Sequence, residues 1–122
     1  MSLQAYQKAQ RSAESPRDTE YRLFAQVTQA LIEANKSGRS NIPKLVDALD
    51  WNRRLWSALA VDCATEGNKH PDALRAQIIS LSLWVSRFSS EAAGTGASLD
   101  PLIDVNKAIM AGLSPRPMFE GT

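Results

Sequence analysis

The spacing of the apolar residues constrains the fold most, because they recur every three or four positions through most of the chain. This period places them on one side of an α-helix, whereas a half-buried strand would alternate apolar and polar residues. Strand-like patterns are scarce, so the sequence predicts an all-α fold. The first long stretch with helical spacing contains Tyr21, Leu23, Phe24, Val27, Leu31 and Ile32.

Capping and turn residues divide the chain into helices. Ser15, as an N-cap, and Pro16, at the first helical position, form a strong helix start. Glycines and the SGRSN segment mark the ends of helical stretches. The predicted helices are a short polar one at 3–12 and four main ones: Pro16 to the SGRSN segment at 37–41, about Asn41 to Thr65, Pro71 to about Ser90, and Asp100 to Gly112.

The remaining segments are expected to be irregular. AAGTGAS at 92–98 predicts a flexible loop, and the tail SPRPMFEGT at 114–122, with two prolines, predicts disorder. We therefore expect one domain over 1–113, a helical bundle of four main helices plus the short N-terminal helix.

The numbers of basic and acidic residues indicate which kind of partner to expect. Lys and Arg total 14 against 13 Asp and Glu, a net charge of +1. Nucleic-acid binding draws most of its affinity from an excess of basic residues, so a nucleic-acid partner is not expected. The N-terminus lacks the apolar core of a signal peptide, and no apolar run is long enough for a membrane span. These patterns predict a soluble, cytoplasmic protein.

Residues for catalysis or metal binding are sparse. Cys63 is the one cysteine and His70 the one histidine, so together they cannot form a structural zinc site. The GNKHPD turn favours a helix-capping role for His70. No nucleophile, base and orienting group can be named together. We predict a protein that is not an enzyme and has no cofactor.

The segment LDWNRRLWSAL at 49–59 places tryptophans around an arginine pair. At about 100° per residue from Trp51, Leu55 falls near 40°, Asn52 near 100° and Trp56 near 140°. Both tryptophans therefore lie on the apolar side, at its two margins. This arrangement favours Trp56 as a core residue and Trp51 as a protein contact. Asn52 is either a satisfied structural amide or a polar anchor in a groove.

The next predicted helix has apolar residues on two sides. Ile78 and Val85 represent one face, and Ile79 and Leu83 the nearly opposite one. Such a helix either lies at the centre of a bundle or leaves one face for a partner. Asn106 is a second asparagine at a core-like position, within the apolar stripe of the last helix.

Four stretches together resemble the flagellar biosynthesis regulator FlaF of alphaproteobacteria. The resemblance covers roughly residues 5–113, and the WNRRLW and EYRLF blocks are its most specific parts. The four stretches are AYQKAQRSAESPRDTEYRLFAQVTQAL, LVDALDWNRRLWSALAVDCA, LRAQIISLSLWVSRFS and LDPLIDVNKAIMAGL.

The resemblance implies a cytoplasmic protein that binds flagellin as a secretion chaperone and is needed for flagellin production and export. It also implies that the protein works alongside a second regulator, FlbT, which acts on flagellin messenger RNA. Amphipathic terminal helices of flagellin would enter a groove between helices of the bundle. The candidate groove residues are Tyr6, Tyr21, Phe24, Trp51, Asn52, Arg53, Leu55 and Trp84.

Three alternatives stay open. Each candidate can be an ordinary core residue, with Phe24 and Leu55 the most core-like. Alternatively, the protein binds flagellin messenger RNA directly, or it acts as an adaptor of FlbT and does not bind flagellin. The surface for the RNA alternative would combine the tryptophans with Arg53, Arg54, Arg75 and Arg87.

Overall fold

The structure, a computed structural model, describes residues 2–4, 16–68 and 70–113. The part of the chain that it describes contains helices and no strand, which confirms the all-α prediction. Leu3 and Gln4 are helical, and the rest of the predicted N-terminal helix lies outside the described residues. The main elements are α1 (Pro16–Ser37), a 3-10 helix (Gly38–Asn41), α2 (Ile42–Ala64), α3 (Asp72–Thr95) and α4 (Asp100–Leu113).

Local chemistry fixes several helix ends. Asn41 caps α2: its side-chain oxygen accepts a hydrogen bond from the Lys44 backbone N–H at 3.2 Å. Pro43 lies in the first turn of that helix, where a missing N–H has no cost. Gly96 ends α3 in the left-handed conformation, with φ of 75°, which few other residues adopt. The start of α2 agrees with the capping residues in the sequence, whereas α3 ends at Gly96 and not near Ser90 as predicted.

The antiparallel pair α1 and α2 forms the centre of the bundle. Packing along the helices joins α1 to α2, α1 to α4 and α2 to α3. Phe24 and Trp56 meet edge-to-face at the centre, with their rings 5.5 Å apart. The same core cluster contains the fully or almost fully buried side chains Leu31, Leu45, Leu59, Ile78, Val85, Leu99 and Leu102.

A buried polar network links three helices inside this apolar core. The Trp56 indole N–H donates to the Asn106 side-chain oxygen at 2.8 Å. The Asn106 amide nitrogen donates to Thr28 Oγ1 at 3.1 Å and to Asn52 Oδ1 at 2.8 Å. The Thr28 hydroxyl in turn lies 3.8 Å from the sulfur of Met110. Because each bond is directional, the network specifies the relative positions of α1, α2 and α4.

The expectation of a flexible loop at 92–98 is wrong for its first four residues. Helix α3 continues to Thr95, because Ala92 is fully buried in the core and Arg39 Nη1 donates to the Gly94 carbonyl at 2.8 Å. These tertiary contacts outweigh the low helix propensity of glycine, which costs about 1 kcal/mol relative to alanine. The segment that follows is also held in place, since Asn35 Oδ1 accepts a hydrogen bond from the Leu99 N–H at 3.0 Å.

Three smaller expectations differ from the structure or lie outside it. Helix α4 continues through Gly112 to Leu113. His70 does not cap α3, whose N-cap is Pro71; its ring Nε2 instead lies 3.2 Å from the Glu20 carboxylate of α1. The Ser15 cap, and the tail at 114–122, fall outside the described residues.

Candidate protein-binding surface

Helix α2 has one face in the core and an outer face flanked by two grooves. The first, the α1–α2 groove, has a volume of about 400 Å³. Trp51 forms part of its wall and is 40% exposed, which agrees with its place at the margin of the apolar side in the helical projection. The full lining of this groove is Ala30, Glu33, Lys44, Asp47, Ala48 and Trp51.

The second groove, the α2–α3 groove, lies on the other side of the same helix and has a volume of about 280 Å³. Buried Leu49 contributes to its lining, and half-exposed Val46 adds further apolar surface. Asp47 belongs to both grooves and so marks the ridge between them. The full lining is Val46, Asp47, Leu49, Asp50, Arg53, Ser89, Ser90 and Ala93.

Charges on the ridge of α2 are partly paired. Asp50 accepts from Arg53 Nη2 at 2.7 Å and lies 3.1 Å from Arg54 Nε. Asp47 has no ion-pair partner among the residues that the structure describes. Because all these groups are exposed to solvent, the two ion pairs add little stability, and their main effect is to neutralise Asp50.

Two predicted site residues are core residues. Phe24 and Asn52 are both 0% exposed. Asn52 is enclosed but not fully satisfied: its oxygen accepts a hydrogen bond from Asn106, while its own nitrogen has no hydrogen-bond partner among the residues that the structure describes. Neither side chain contributes exposed surface to the two grooves.

The other candidates are distributed over the molecule. Trp51 lines one groove and Arg53 the other, so the structure does not bring them together. Tyr21 and Leu55 are half-buried against the core. Trp84 is also half-buried and stacks at a tilt on Phe88, with ring centres 5.2 Å apart. Tyr6 lies outside the described residues.

Sequence reasoning missed several residues that line the grooves: Lys44, Asp47, Val46 and Ser89. A pattern in α3 could have indicated the second groove. Small residues recur there at helical spacing, at positions 82, 86, 89, 90 and 93. A row of small residues lets another helix approach closely, a signal that the large apolar residues of this helix do not give.

The second apolar face of α3 is open to solvent. Leu83 is 62% exposed and Ile79 is 37% exposed, whereas Ile78 and Val85 on the other face are fully buried. Of the two explanations for a two-sided apolar helix, the structure therefore supports a face that is not covered by the bundle.

The described part of the chain has no cluster suited to metal binding, and its one cysteine is buried. No three His, Cys, Asp or Glu side chains there could hold a metal ion. Burial raises the pKa of the Cys63 thiol, with smaller contributions from the charges of Glu20 and Asp62, so the reactive thiolate is disfavoured. No described helix is long and apolar enough to cross a membrane.

Fold and surface together define a small all-α protein that presents helix-lined grooves beside a half-exposed tryptophan. Residues 2–113 match the family model described as flagellar protein FlaF, so the chain belongs to the FlaF family. This match agrees with the resemblance seen in the WNRRLW and EYRLF blocks. The comparisons with curated proteins and with solved structures found no match.

Proposed function

We propose that this FlaF-family protein binds flagellin as a cytoplasmic secretion chaperone and thereby promotes flagellin synthesis and export. The observation that carries the proposal is the position of Trp51, a half-exposed aromatic residue beside a groove of about 400 Å³ between two helices. Large aromatic residues beside pockets are frequent anchors of protein–protein interfaces.

The partner chemistry follows from the same groove. The terminal helices of flagellin are amphipathic and stay unpaired until the filament forms, so their apolar faces promote aggregation unless they are covered. A helix in the α1–α2 groove would bury its apolar stripe against Trp51, Ala30 and Ala48. Charged groups at the edge of the groove, from Glu33, Lys44 and Asp47, would favour one register of that helix.

Titration of purified flagellin, intact and without its C-terminal helices, tests the proposal. Intact flagellin is expected to bind at micromolar concentration or tighter, and the truncated form at least ten-fold more weakly. Trp51→Ala is expected to weaken binding by about ten-fold or more, as for a residue worth more than about 1.4 kcal/mol at an interface. Val61→Ala, at a 68% exposed position on the same helix, is the matched control and should bind normally.

Lack of binding to intact flagellin would contradict the proposal. If FlbT bound instead, the adaptor alternative would replace it. Direct RNA binding is less well supported, because three of its four arginines already have partners. Arg53 and Arg54 contact Asp50, and Arg75 Nε donates to the Cys63 carbonyl at 2.7 Å. Salt-sensitive binding of flagellin messenger RNA would restore that alternative.

A further inference from the structure

Asn35, near the end of α1, binds the start of α4 with both ends of its side-chain amide. The amide oxygen accepts a hydrogen bond from the Leu99 N–H at 3.0 Å, and the amide nitrogen donates to Asp100 Oδ1 at 3.1 Å. Leu99 directly precedes α4, and Asp100 is the first residue of that helix. A single side chain of α1 therefore fixes the point at which α4 begins.

The connection between α3 and α4 is anchored separately at its two ends. Arg39 Nη1 donates to the Gly94 carbonyl in the last turn of α3, and a methyl group at position 96 would collide with the side-chain stem of Arg39. The α4 end of the connection is held by Asn35. Residues 97–98, between the two anchors, are exposed. A rotation there would release α4 and leave the end of α3 in place.

The attachment of α4 to the bundle is simple. Among the described helices it lies along α1 and not along α3, and Asn106 bonds it to α2. Its buried apolar side chains are Leu102, Ile103 and Ile109. One connection joins α4 to the other described helices, whereas α3 is joined at both ends. Detachment of α4 therefore requires no other helix to move.

The surface that α4 covers is partly polar, which lowers the cost of exposing it. Asn106 bonds to Trp56, Thr28 and Asn52, and water can replace these bonds when α4 moves away. Asn52 is fully buried, and its Nδ2 has no hydrogen-bond partner among the described residues. A buried donor without a partner is unfavourable. Opening of α4 would admit water to this nitrogen, so the closed state carries a cost that the open state lacks.

We propose that α4 is a latched helix: it opens as a unit about residues 97–98 while α1, α2 and α3 stay packed, and the two hydrogen bonds of Asn35 hold it closed. Parts of a protein with few attachments open at a lower free energy than the whole molecule unfolds. Opening uncovers Asn52 and Trp56, so the inner face of α2 becomes accessible while the α1–α2 pair persists. The latch belongs to the free protein and does not depend on the proposed function.

Hydrogen exchange of backbone amides measures this opening in the unaltered protein, under conditions in which exchange reports the opening equilibrium. Amides in the middle of α4, at 104–109, should exchange about ten-fold faster or more than the slowest amides of α2, after correction for intrinsic rates. Their exchange should also respond less to low concentrations of urea, because local opening exposes less surface than global unfolding. The same rates and the same urea dependence in both helices would overturn the proposal.

Two variants separate the opening of α4 from global unfolding. Asn35→Ala removes the latch and should speed exchange in α4 by roughly five-fold or more, as for one or two lost hydrogen bonds. Ile78→Ala, at a fully buried position of α3, should speed the slowest α2 amides by about ten-fold or more. It should leave the α4 amides within about two-fold, because α3 stays packed when α4 opens.

Gln29→Ala is the matched control for Asn35→Ala. It also removes a side-chain amide of α1, but the hydrogen bond of Gln29 goes to Glu33 in the same helix. This bond is kept when α4 opens, so exchange in α4 should change by less than about two-fold.

Either variant can overturn the proposal. If Asn35→Ala leaves exchange in α4 unchanged, Asn35 does not hold α4 closed. If Ile78→Ala speeds the amides of α4 and α2 equally, α4 opens only when the whole molecule unfolds. Should Ile78→Ala fail to fold, the urea dependence of exchange in the unaltered protein still decides between local and global opening.

Discussion

Trp56 and Trp51 lie five residues apart on α2 and have opposite environments. Trp56 is fully buried, meets Phe24 edge-to-face and donates its indole N–H to Asn106. Trp51 is 40% exposed and borders a groove. The inner face of the helix thus combines apolar burial with directional hydrogen bonds, and the outer face has a large aromatic residue with solvent on one side.

This difference separates the residues that maintain the fold from those available to a partner. A substitution on the inner face should affect the free energy of unfolding, and one on the outer face should affect binding. Stability measurements on substituted proteins test this separation.

The largest effect is expected from Trp56→Ala. Loss of a buried aromatic side chain should lower the free energy of unfolding by about 3–5 kcal/mol. Trp51→Ala should lower it by less than about 1 kcal/mol, as for most surface substitutions. Urea denaturation of both variants measures the difference. Equal losses for the two tryptophans would show that Trp51 is part of the core in solution.

The next effect concerns the polar network on the inner face. Asn106→Ala removes the partner of both the Trp56 N–H and the Asn52 oxygen, and should destabilise the protein by about 2–4 kcal/mol. A double-mutant cycle with Asn52→Ala should give a coupling energy above about 0.5 kcal/mol, because the two side chains are in direct contact. Additive losses would mean that the two asparagines contribute independently.

A smaller effect is expected on the outer face, from Asp50→Asn. Both of its ion pairs, with Arg53 and Arg54, are exposed, so the change should cost no more than about 1 kcal/mol. The cost should shrink as salt is raised from low to high concentration, since salt screens exposed charges. A large loss that is independent of salt would contradict the assignment of these residues to a solvated surface.

The smallest effect is a pH dependence from Cys63, at the far end of the inner face. Burial raises the pKa of this thiol in the folded state, so the unfolded chain loses the thiol proton first as pH rises. Below the unfolded pKa, roughly 8.5, both states keep the proton and no pH effect is expected. Above it, the stability of the protein should fall relative to a Cys63→Ala variant. The free energy of unfolding of both proteins, measured as a function of pH, checks this. The same pH dependence for the two proteins up to pH 10 would contradict it.

Much of the fold could be predicted because its determinants are local. Asn41 and Pro43 act within one helical turn, and three- to four-residue apolar spacing identifies a helix whatever it packs against. The end of α3 could not be found this way. It depends on Ala92 being buried and on Arg39 reaching Gly94 from a distant part of the chain.

For the candidate surface, too, local features could be predicted from the sequence and tertiary contacts could not. The sequence alone determined that α2 has Trp56 and Asn52 on an apolar face and Arg54 on the opposite side, because helical geometry fixes those directions. Only the tertiary structure decided that Trp51 borders a groove, that Phe24 and Asn52 are enclosed, and that the Ser89 hydroxyl has no hydrogen-bond partner among the described residues. The physical reason is that exposure and hydrogen bonding depend on which helices pack together, and the spacing within one helix does not specify its neighbours.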